Sequence, residues 1–390
     1  MKVCYVCGEY PPAVHGGIGS LTQISARTLV SLGHDVRVIG VYGNLESSGR
    51  ELDEGVRVWR LREPKKWFGW VAGRRELYRR IAEWARRGAL DVVEVPDWQG
   101  WAAHWPSLPV PVITKLHGSA TYFAAEMGGR TGRLTRRLEG SSLHRSDFWC
   151  SVSRYTANKT QTLFQLPNGP DAILPNPVVL QEPSPWQERR PGRIVFSGTL
   201  TEKKGVVPLV DAWPGVARQF SDATLHFVGK DGIGPDHRSM TAFLKKRLSG
   251  RPGADRVHFH GHLPRGQVLG ELAAAHIAVF PSFAEALALA PLEAMSVGCP
   301  TIVSSLGSGP ELVEHGQDGL TVDPRDPSQI ERALLRLLGD EGFARHLAEN
   351  GRRKIASHFS AAARTTANLE FYAECIARHR KESGHWSMAR

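Results

Sequence analysis

Short apolar segments alternate with helix-forming segments along this chain, in two series separated by a polar, proline-rich stretch at residues 181–193. In the first series, the apolar run 3–6 precedes a glycine-rich loop, a helical segment at about 20–32 and a second apolar run at 35–40. This is the βαβ order of a parallel sheet. The second series begins at residue 194 in the same way. We therefore expect an α/β protein with two open parallel-sheet domains in tandem.

The domain boundaries follow from these changes in composition. We predict an N-terminal domain at 1–182, a linker at 183–193 and a C-terminal domain at 194–360. The tail at 361–390 has a helical pattern and is predicted to cross back to the N-terminal domain. Open α/β domains bind ligands at the carboxyl ends of their strands, so we expect a site in the cleft between the two domains.

Neither a membrane span nor a disulfide framework is expected. No apolar run reaches the length of about 20 residues that a membrane-spanning helix needs, and the first residues lack a secretory pattern, which favours a cytoplasmic protein. Five cysteines are an odd number for a disulfide framework. Cys4 and Cys7 form a CxxC pair within a strand-like run, where residues three apart point to opposite faces. A shared metal or redox role is therefore not expected.

Positive charge is concentrated at residues 62–87. The chain has a net charge of +10, and this stretch holds nine Lys or Arg against three Glu, together with several aromatic residues. A basic, aromatic-rich helix can rest on an anionic surface, which indicates peripheral contact with the inner membrane face. The alternative is a solvated helix whose apolar stripe packs on its own domain. Nucleic-acid binding is not expected, because no recognised binding motif accompanies the charge.

Glu285 and Glu293 lie eight positions apart in an otherwise apolar run. If the whole run were helical, the two residues would be about 12 Å apart, too far to share one proton or one metal. That spacing suits two hydroxyl-bearing parts of one elongated ligand, because a carboxylate in apolar surroundings needs hydrogen-bond donors. The alternative is that both lie on the solvent face of an ordinary amphipathic helix.

Three further segments carry candidate binding residues at strand ends. The glycines around Gly17 let backbone amides approach a phosphate at a helix N-terminus, although Thr22 stands where the dinucleotide fingerprint needs glycine. A tight turn without a ligand is the alternative there. Lys204 precedes a helix and can neutralise a phosphate, and His117 ends a strand. The chain has no Asp-x-Asp pair to hold a divalent ion, which favours charge stabilisation by lysine and a helix dipole.

Together these segments resemble family 4 of the retaining glycosyltransferases over most of the chain. The motifs, in the order of that family, are Glu9-Tyr10-Pro11-Pro12 with His15-Gly16-Gly17-Ile18-Gly19, Leu32-Gly33-His34-Asp35-Val36, Lys115-Leu116-His117-Gly118, Leu174-Pro175-Asn176-Pro177, Gly198 to Gly205, and Glu285 to Pro300. The resemblance implies the GT-B architecture, in which two Rossmann-like domains face each other across a deep cleft.

The resemblance also implies roles for individual residues. Glu293 would bind the nucleotide ribose and Glu285 the donor sugar, while Lys204 would neutralise the departing diphosphate. His117 would contact the donor sugar or the reacting centre. The other residues of the implied donor site are Gly17, Gly198, Thr199, Lys203, Leu287, Ala288 and Leu289. Two departures from the family's pattern put the affinity of this site for the donor in doubt: Thr199 stands where the family often has arginine, and Ala286 and Ala288 replace glycines. Lys203 could substitute for the arginine.

Candidate acceptor residues lie in the N-terminal domain, which holds most of the tryptophans. Trp98 and Trp101 could stack on sugar rings, while Glu94 and Asp97 could bind hydroxyls or an amine. The alternative is that Trp101 and Trp105, four apart, belong to the core. The segment 130–145 adds five arginines against one glutamate, which is compatible with an anionic or lipid-linked acceptor.

The sequence thus predicts an enzyme that moves a sugar from a nucleoside diphosphate sugar to a hydroxyl of a sugar-containing small molecule, lipid-linked sugar or glycan. Retention of anomeric configuration by front-face attack is expected, with UDP favoured over GDP, no cofactor and no metal. The alternatives are a nucleotide-sugar epimerase or sugar phosphorylase, and a nucleotide-sugar binding protein with impaired catalysis.

Overall fold

The computed structural model describes residues 1–13, 16–65 and 68–387, with side chains through residue 382. It divides into two compact units: unit 1 comprises residues 1–177 with the C-terminal segment from 361, and unit 2 comprises 178–360. His15 of the first glycine motif, and Lys66 and Trp67 of the predicted membrane-contact segment, lie outside the described residues.

Unit 1 contains a single sheet with strand order β3-β4-β2-β1-β5-β6-β7-β8. The strands are β1 (Lys2–Val6), β2 (Asp35–Tyr42), β3 (Gly49–Asp53), β4 (Val56–Arg62), β5 (Val92–Pro96), β6 (Val112–Leu116), β7 (Phe148–Ser151) and β8 (Ala172–Ile173). The helices are α1 (Gly17–Ser31), α2 (Gly69–Arg86), α3 (Ala120–Glu126), α4 (Arg133–Arg145), α5 (Arg154–Phe164) and, at the C-terminus, α13 (Ala361–Ser387).

The sheet of unit 1 is parallel except for β3, which pairs antiparallel with β4. The two-residue turn between them, Glu54-Gly55, has positive φ at both positions, as a tight hairpin requires. Apolar clusters cover both faces of the sheet: Cys7 belongs to one and Cys4 to the other. The C-terminal α13 joins the first of these clusters through the fully buried Tyr372.

Unit 2 contains a six-stranded, fully parallel sheet with strand order β11-β10-β9-β12-β13-β14. The strands are β9 (Arg193–Ser197), β10 (Thr224–Val228), β11 (Val257–Gly261), β12 (Ile277–Phe280), β13 (Thr301–Ser304) and β14 (Leu320–Val322). The helices are α6 (Val206–Gln219), α7 (Met240–Leu248), α8 (Arg265–Ala274), α9 (Leu289–Ser296), α10 (Gly309–Leu312), α11 (Pro327–Gly339) and α12 (Glu341–Lys354).

In both sheets the strand order reverses at one point, between β1 and β5 in unit 1 and between β9 and β12 in unit 2. The loops that leave neighbouring strands at such a point run to opposite faces of the sheet and leave a crevice between them, which is where open α/β sheets bind ligands. The prediction of two parallel-sheet α/β domains is confirmed.

The segment predicted as a linker packs on unit 2. The units divide after residue 177, before the predicted boundary at 182. The guanidinium of Arg189 is buried and donates hydrogen bonds to the carbonyl oxygens of Ala273, Ala275 and Val297. These bonds hold residues around 189 against α8 and the end of α9, so this part of the chain is not a free connection.

Candidate active site

Lys204 and Glu285 meet at the strand-order reversal of unit 2. Lys204 follows β9 and Glu285 follows β12, so each lies in a loop that borders the expected crevice. The Lys204 Nζ atom forms an ion pair with Glu285 Oε1, and both side chains remain partly exposed. A cation and a carboxylate held side by side at this edge can bind, respectively, an anionic group and a hydroxyl of one ligand.

The two loops are fastened to each other through their backbones. Gly205 has a φ of +69°, and a Cβ atom there would lie 1.8 Å from the carbonyl oxygen of Pro281. Beside this contact, the amide of Phe283 donates to the carbonyl oxygen of Lys203 at 2.8 Å. The position of Lys204 therefore depends on a close backbone approach that only glycine permits.

The residues that flank Lys204 differ in exposure. Lys203 is mostly buried, and burial lowers the pKa of its ammonium group, an effect that nearby Glu285 opposes. Thr199, which stands at the position of the family's arginine, is exposed on the same loop. Gly198 has a φ of +144°, and its amide donates to the carbonyl oxygen of Val228 at 2.9 Å. The loop after β9 is thus also tied to the end of β10.

Glu293 lies on α9 and is nearly buried. Burial raises the pKa of its carboxyl group. The guanidinium of Arg265 opposes this shift: its Nε donates a hydrogen bond to Glu293 Oε1 at 3.0 Å, and its Nη2 forms an ion pair with the same oxygen. Sequence reasoning missed Arg265. The signal was available, because Pro264 and Arg265 begin a helix directly after β11 and so place a guanidinium at the same sheet edge.

The run from Glu285 to Glu293 is not one continuous helix. Helix α9 begins at Leu289, with Ala288 in an extended conformation as its N-cap and no side chain capping the helix. Glu285 therefore lies in the loop and only Glu293 lies on the helix, so the 12 Å estimate does not apply. Leu287 is buried, which makes its side chain part of the packing.

In unit 1, the loop after β1 leads into α1 at Gly17. A Cβ atom at Gly17 would have no neighbour within 4 Å among the described residues, so the space beside it is open. The carboxylate of Glu9 accepts a hydrogen bond from the amide of Gly19 at 2.8 Å. Thus one acidic side chain of the protein already contacts the positive end of this helix.

His117 follows β6 in unit 1. Its Nδ1 atom is buried and has no hydrogen-bond partner among the described residues. Burial, together with a smaller effect of the Lys115 charge, lowers the pKa of the imidazole to about 3. The ring is therefore neutral at physiological pH and can either donate or accept one hydrogen bond at each nitrogen.

The four candidate acceptor residues lie in different environments. Glu94 is buried and accepts a hydrogen bond from the hydroxyl of Tyr372 on α13. Asp97 is fully buried and bonds main-chain amides. Neither carboxylate is presented to solvent, which differs from the prediction that both bind acceptor groups. Trp101 packs beneath Arg74, with the guanidinium 4.7 Å from a ring centre, whereas Trp98 is 38% exposed.

The arginines of α4 form a separate surface. Arg133, Arg136 and Arg137 line a cavity of about 380 Å³ beside the C-terminal end of α5. Since α5 begins at the carboxyl end of β7, this cavity lies at the opposite end of the helix from the strand-end loops. These arginines therefore give no direct support to an anionic acceptor beside His117.

Among the residues that the structure describes, no helix is both long and apolar enough to cross a membrane. In the same set, no group of three or more His, Cys, Asp or Glu residues is arranged to hold a metal ion.

Comparison with known proteins covers both units. Residues 16–177 match the family described as glycosyl transferase 4-like domain, and residues 182–354 match glycosyl transferases group 1. Glycogen synthase of Mycobacterium tuberculosis is 28% identical over 403 residues, covering 95% of this chain and 94% of that protein.

Solved structures with the same fold include two that match nearly the full length. Sucrose-phosphate synthase from Thermosynechococcus elongatus has a TM-score of 0.76 and 19% identity, covering 96% of this chain and 99% of that chain. Anabaena HepE, in complex with UDP-glucose, has a TM-score of 0.72 and 17% identity, covering 96% of this chain and 100% of that chain.

Proposed function

From the premise that this chain belongs to the GT-B glycosyltransferases of family 4, which use nucleotide sugars, we propose that it transfers a hexosyl group from a UDP-sugar to a hydroxyl of a sugar-containing acceptor. The observation that carries the proposal is the Lys204–Glu285 pair at the strand-order reversal of unit 2. Lys204 binds the diphosphate and Glu285 accepts hydrogen bonds from the donor sugar. The choice of UDP is supported by HepE, whose structure holds UDP-glucose.

Glu293 and Arg265 complete the proposed donor site. Glu293 binds the ribose hydroxyls, and Arg265 keeps the buried carboxylate charged until the ribose arrives. Because the proposed site assembles charge from Lys204 and helix α9, it requires no metal. His117, neutral at physiological pH, contacts the donor sugar through a hydrogen bond that carries no net charge.

The proposed transfer retains the configuration of the anomeric carbon. Glu285 is ion-paired to Lys204, so in the proposed site it binds sugar hydroxyls and does not act as a nucleophile in a double displacement. The acceptor hydroxyl therefore enters on the face from which the diphosphate leaves, and a phosphate oxygen takes its proton. The protein contributes position and charge complementarity. The anomeric configuration of the product, read by proton NMR, tests retention.

The first test measures donor binding. The thermal midpoint of the protein should rise by a few degrees with UDP and UDP-sugars at about 100 times their dissociation constant, an occupancy that stabilises the folded state by about 2.7 kcal/mol. GDP and ADP should produce a smaller shift, and magnesium should leave the UDP shift unchanged. A shift with GDP alone would replace the UDP assignment. No shift with any nucleotide would favour a protein with impaired donor binding, as Thr199 and Ala286 suggest.

We also propose peripheral contact with an anionic membrane through the start of α2. The apolar stripe of this helix, which includes Leu77 and Ile81, is buried in unit 1 and is not free for lipid. The first turns of the helix are more exposed: Phe68 is 66% exposed, and a groove of about 350 Å³ there is bordered by Arg75, Arg79 and Glu76, which forms an ion pair with Arg79. An exposed aromatic ring beside two guanidinium groups is the chemistry that anionic lipid surfaces bind.

Sedimentation with vesicles tests this contact. The protein should sediment with phosphatidylglycerol vesicles at low salt, remain in solution with phosphatidylcholine vesicles, and be released as salt screens the charges. Exchange of Arg75 and Arg79 for glutamate should abolish sedimentation. As a matched control with the same change in net charge, exchange of Arg325 and Arg332, two exposed arginines of unit 2, for glutamate should preserve it. Equal sedimentation of both variants would rule out α2 as the contact.

A further inference from the structure

The main chain around His117 is held by two buried carboxylates from other parts of unit 1. Asp97, which directly follows β5, accepts hydrogen bonds from the amide of His117 at 2.8 Å and from the amide of Gly118 at 3.1 Å. Gly118 has a φ of +90°, a conformation that side chains disfavour. The two oxygens of one carboxylate thus fix two successive peptide groups in an unusual turn.

Glu139, on α4, continues this arrangement into the next helix. Its carboxylate accepts hydrogen bonds from the amides of Ala120 and Thr121 at 2.9 and 3.1 Å, and from the hydroxyl of Thr121 at 2.6 Å. Ser119 then caps the amide of Tyr122 at 3.1 Å. Because both carboxylates are fully buried, side-chain oxygens inside the protein, and not water, determine the path of residues 117–121.

We propose that Asp97 is a positioning residue for His117. While the Asp97 carboxylate is ionised, it fixes the His117 imidazole at the reacting centre, and when this carboxylate takes up a proton, the imidazole is released. This rests on the proposed function, in which His117 contacts the donor sugar. An ionised carboxylate accepts both amide hydrogens, whereas a protonated carboxyl turns one oxygen into a donor that conflicts with a main-chain N–H. Sequence reasoning placed Asp97 near the acceptor, and the structure instead places it behind the His117 loop.

The environment of Asp97 places the uptake of a proton by its carboxylate near neutral pH. Burial and, to a smaller extent, the charge of Glu139 raise the pKa of its carboxyl group against the opposing hydrogen bonds from the His117 and Gly118 amides, and the resulting pKa is about 7. His117 and Lys115 on the β6 side carry the other titratable groups close to it, and the guanidinium of Arg74 bonds the carbonyl oxygens of Gln99 and Gly100 in the same loop. Because the pKa of His117 is about 3, its own titration falls far below this range.

Asp97→Asn should lower kcat by about 10²-fold at pH 8, the scale expected when a reacting group is misplaced by about 1 Å. The KM for the donor should be nearly unchanged, since Lys204 and Glu285 belong to unit 2. In the wild type, kcat should fall as pH drops through about 7, and this decrease should be absent in the variant. Asp171→Asn provides the matched control, because Asp171 also accepts a hydrogen bond from a strand amide in unit 1, that of Trp149. This variant should keep the wild-type kcat and its decrease at low pH.

The pH dependence of stability distinguishes a loss of positioning from a loss of folding. Asp97 has a raised pKa in the folded state, so between its unfolded value of about 3.9 and about 7 the folded protein binds more protons. Its contribution to stability therefore falls as pH rises through that window. The wild type should gain more in thermal midpoint between pH 8 and pH 6 than Asp97→Asn does, although its activity falls over the same interval.

Hydrogen exchange tests the proposal without any assay of transfer. In the wild type, the protection factors of the His117 and Gly118 amides should decrease as pH drops from 8 to 6, and in Asp97→Asn they should be low and independent of pH. Constant protection in the wild type, or an acid limb of kcat that Asp97→Asn retains, would overturn the positioning role. A wild type with pH-dependent protection but no turnover of any nucleotide sugar would instead contradict the proposed function.

Discussion

Lys204→Ala is expected to lower the rate of donor turnover by about 10²-fold or more. In the proposed mechanism, the leaving diphosphate gains negative charge as its bond to the sugar breaks, and the ammonium group of Lys204 stabilises that charge. Removal of one such transition-state donor typically costs 10²- to 10³-fold. The effect should appear in kcat, because the charge develops mainly after binding.

The assay follows release of the nucleotide from the donor identified by thermal shift, with hydrolysis on prolonged incubation as the reaction when no acceptor is at hand. Lys246→Ala is the matched control, because Lys246 is an exposed lysine on α7 of the same unit and its loss should leave the rate unchanged. A near-wild-type rate for Lys204→Ala would remove this residue from the mechanism.

The ion pair with Glu285 adds a second comparison. Lys204→Ala leaves the Glu285 carboxylate without the ammonium group beside it, so part of the loss could come from a misplaced carboxylate. The double variant with Glu285→Gln separates the two effects. If Lys204 acts only by holding Glu285, the double variant should be no slower than Glu285→Gln alone. Independent contacts with the diphosphate and the sugar predict a further loss.

The alternation of strands and helices was visible in the sequence because both faces of a parallel sheet are covered, so each buried strand reads as a short apolar run. The hairpin of β3 and β4 was not visible in this way. Its strands carry many charges, such as Arg57 and Arg60, and β3 is mostly exposed. β3, at the edge of the sheet, therefore lacks the apolar pattern on which sequence reasoning depends, and in β4, between β3 and β2, arginines interrupt that pattern.

At the candidate site, the sequence identified residue types and strand ends but not contacts. Lys204 and Glu285 are 81 positions apart, and only the order β9-β12 in the sheet makes their loops neighbours. The same limit explains Asp97. A carboxylate next to a tryptophan suggests a ligand contact, whereas its two bonds to the β6 loop depend on the pairing of β5 with β6. The position of Arg265 after β11 could be read from the sequence, but its contact with Glu293 could not, because the two residues lie on different helices.

The second large effect is expected at Gly205, the residue that follows Lys204. Gly205→Ala should both destabilise unit 2 and reduce donor turnover by about 10²-fold. Its φ of +69° costs a residue with a side chain roughly 1–2 kcal/mol, and its new Cβ atom would lie 1.8 Å from the carbonyl oxygen of Pro281. Such a contact must be relieved by movement of the backbone. Since Lys204 is on the same turn, the movement also displaces its ammonium group, and misplacement by about 1 Å costs about 10²-fold.

The variant Gly250→Ala separates the effect of the close contact with Pro281 from the effect of the positive φ. Gly250 has a φ of +74°, similar to that of Gly205, but a Cβ atom there would meet nothing within 4 Å. This control should therefore lose about 1–2 kcal/mol of unfolding free energy, measured by urea titration, and keep full activity. Gly205→Ala should lose clearly more stability and most of its activity at temperatures where it is still folded. If the two variants behaved alike, the approach of the β9 loop to Pro281 would not be what positions Lys204.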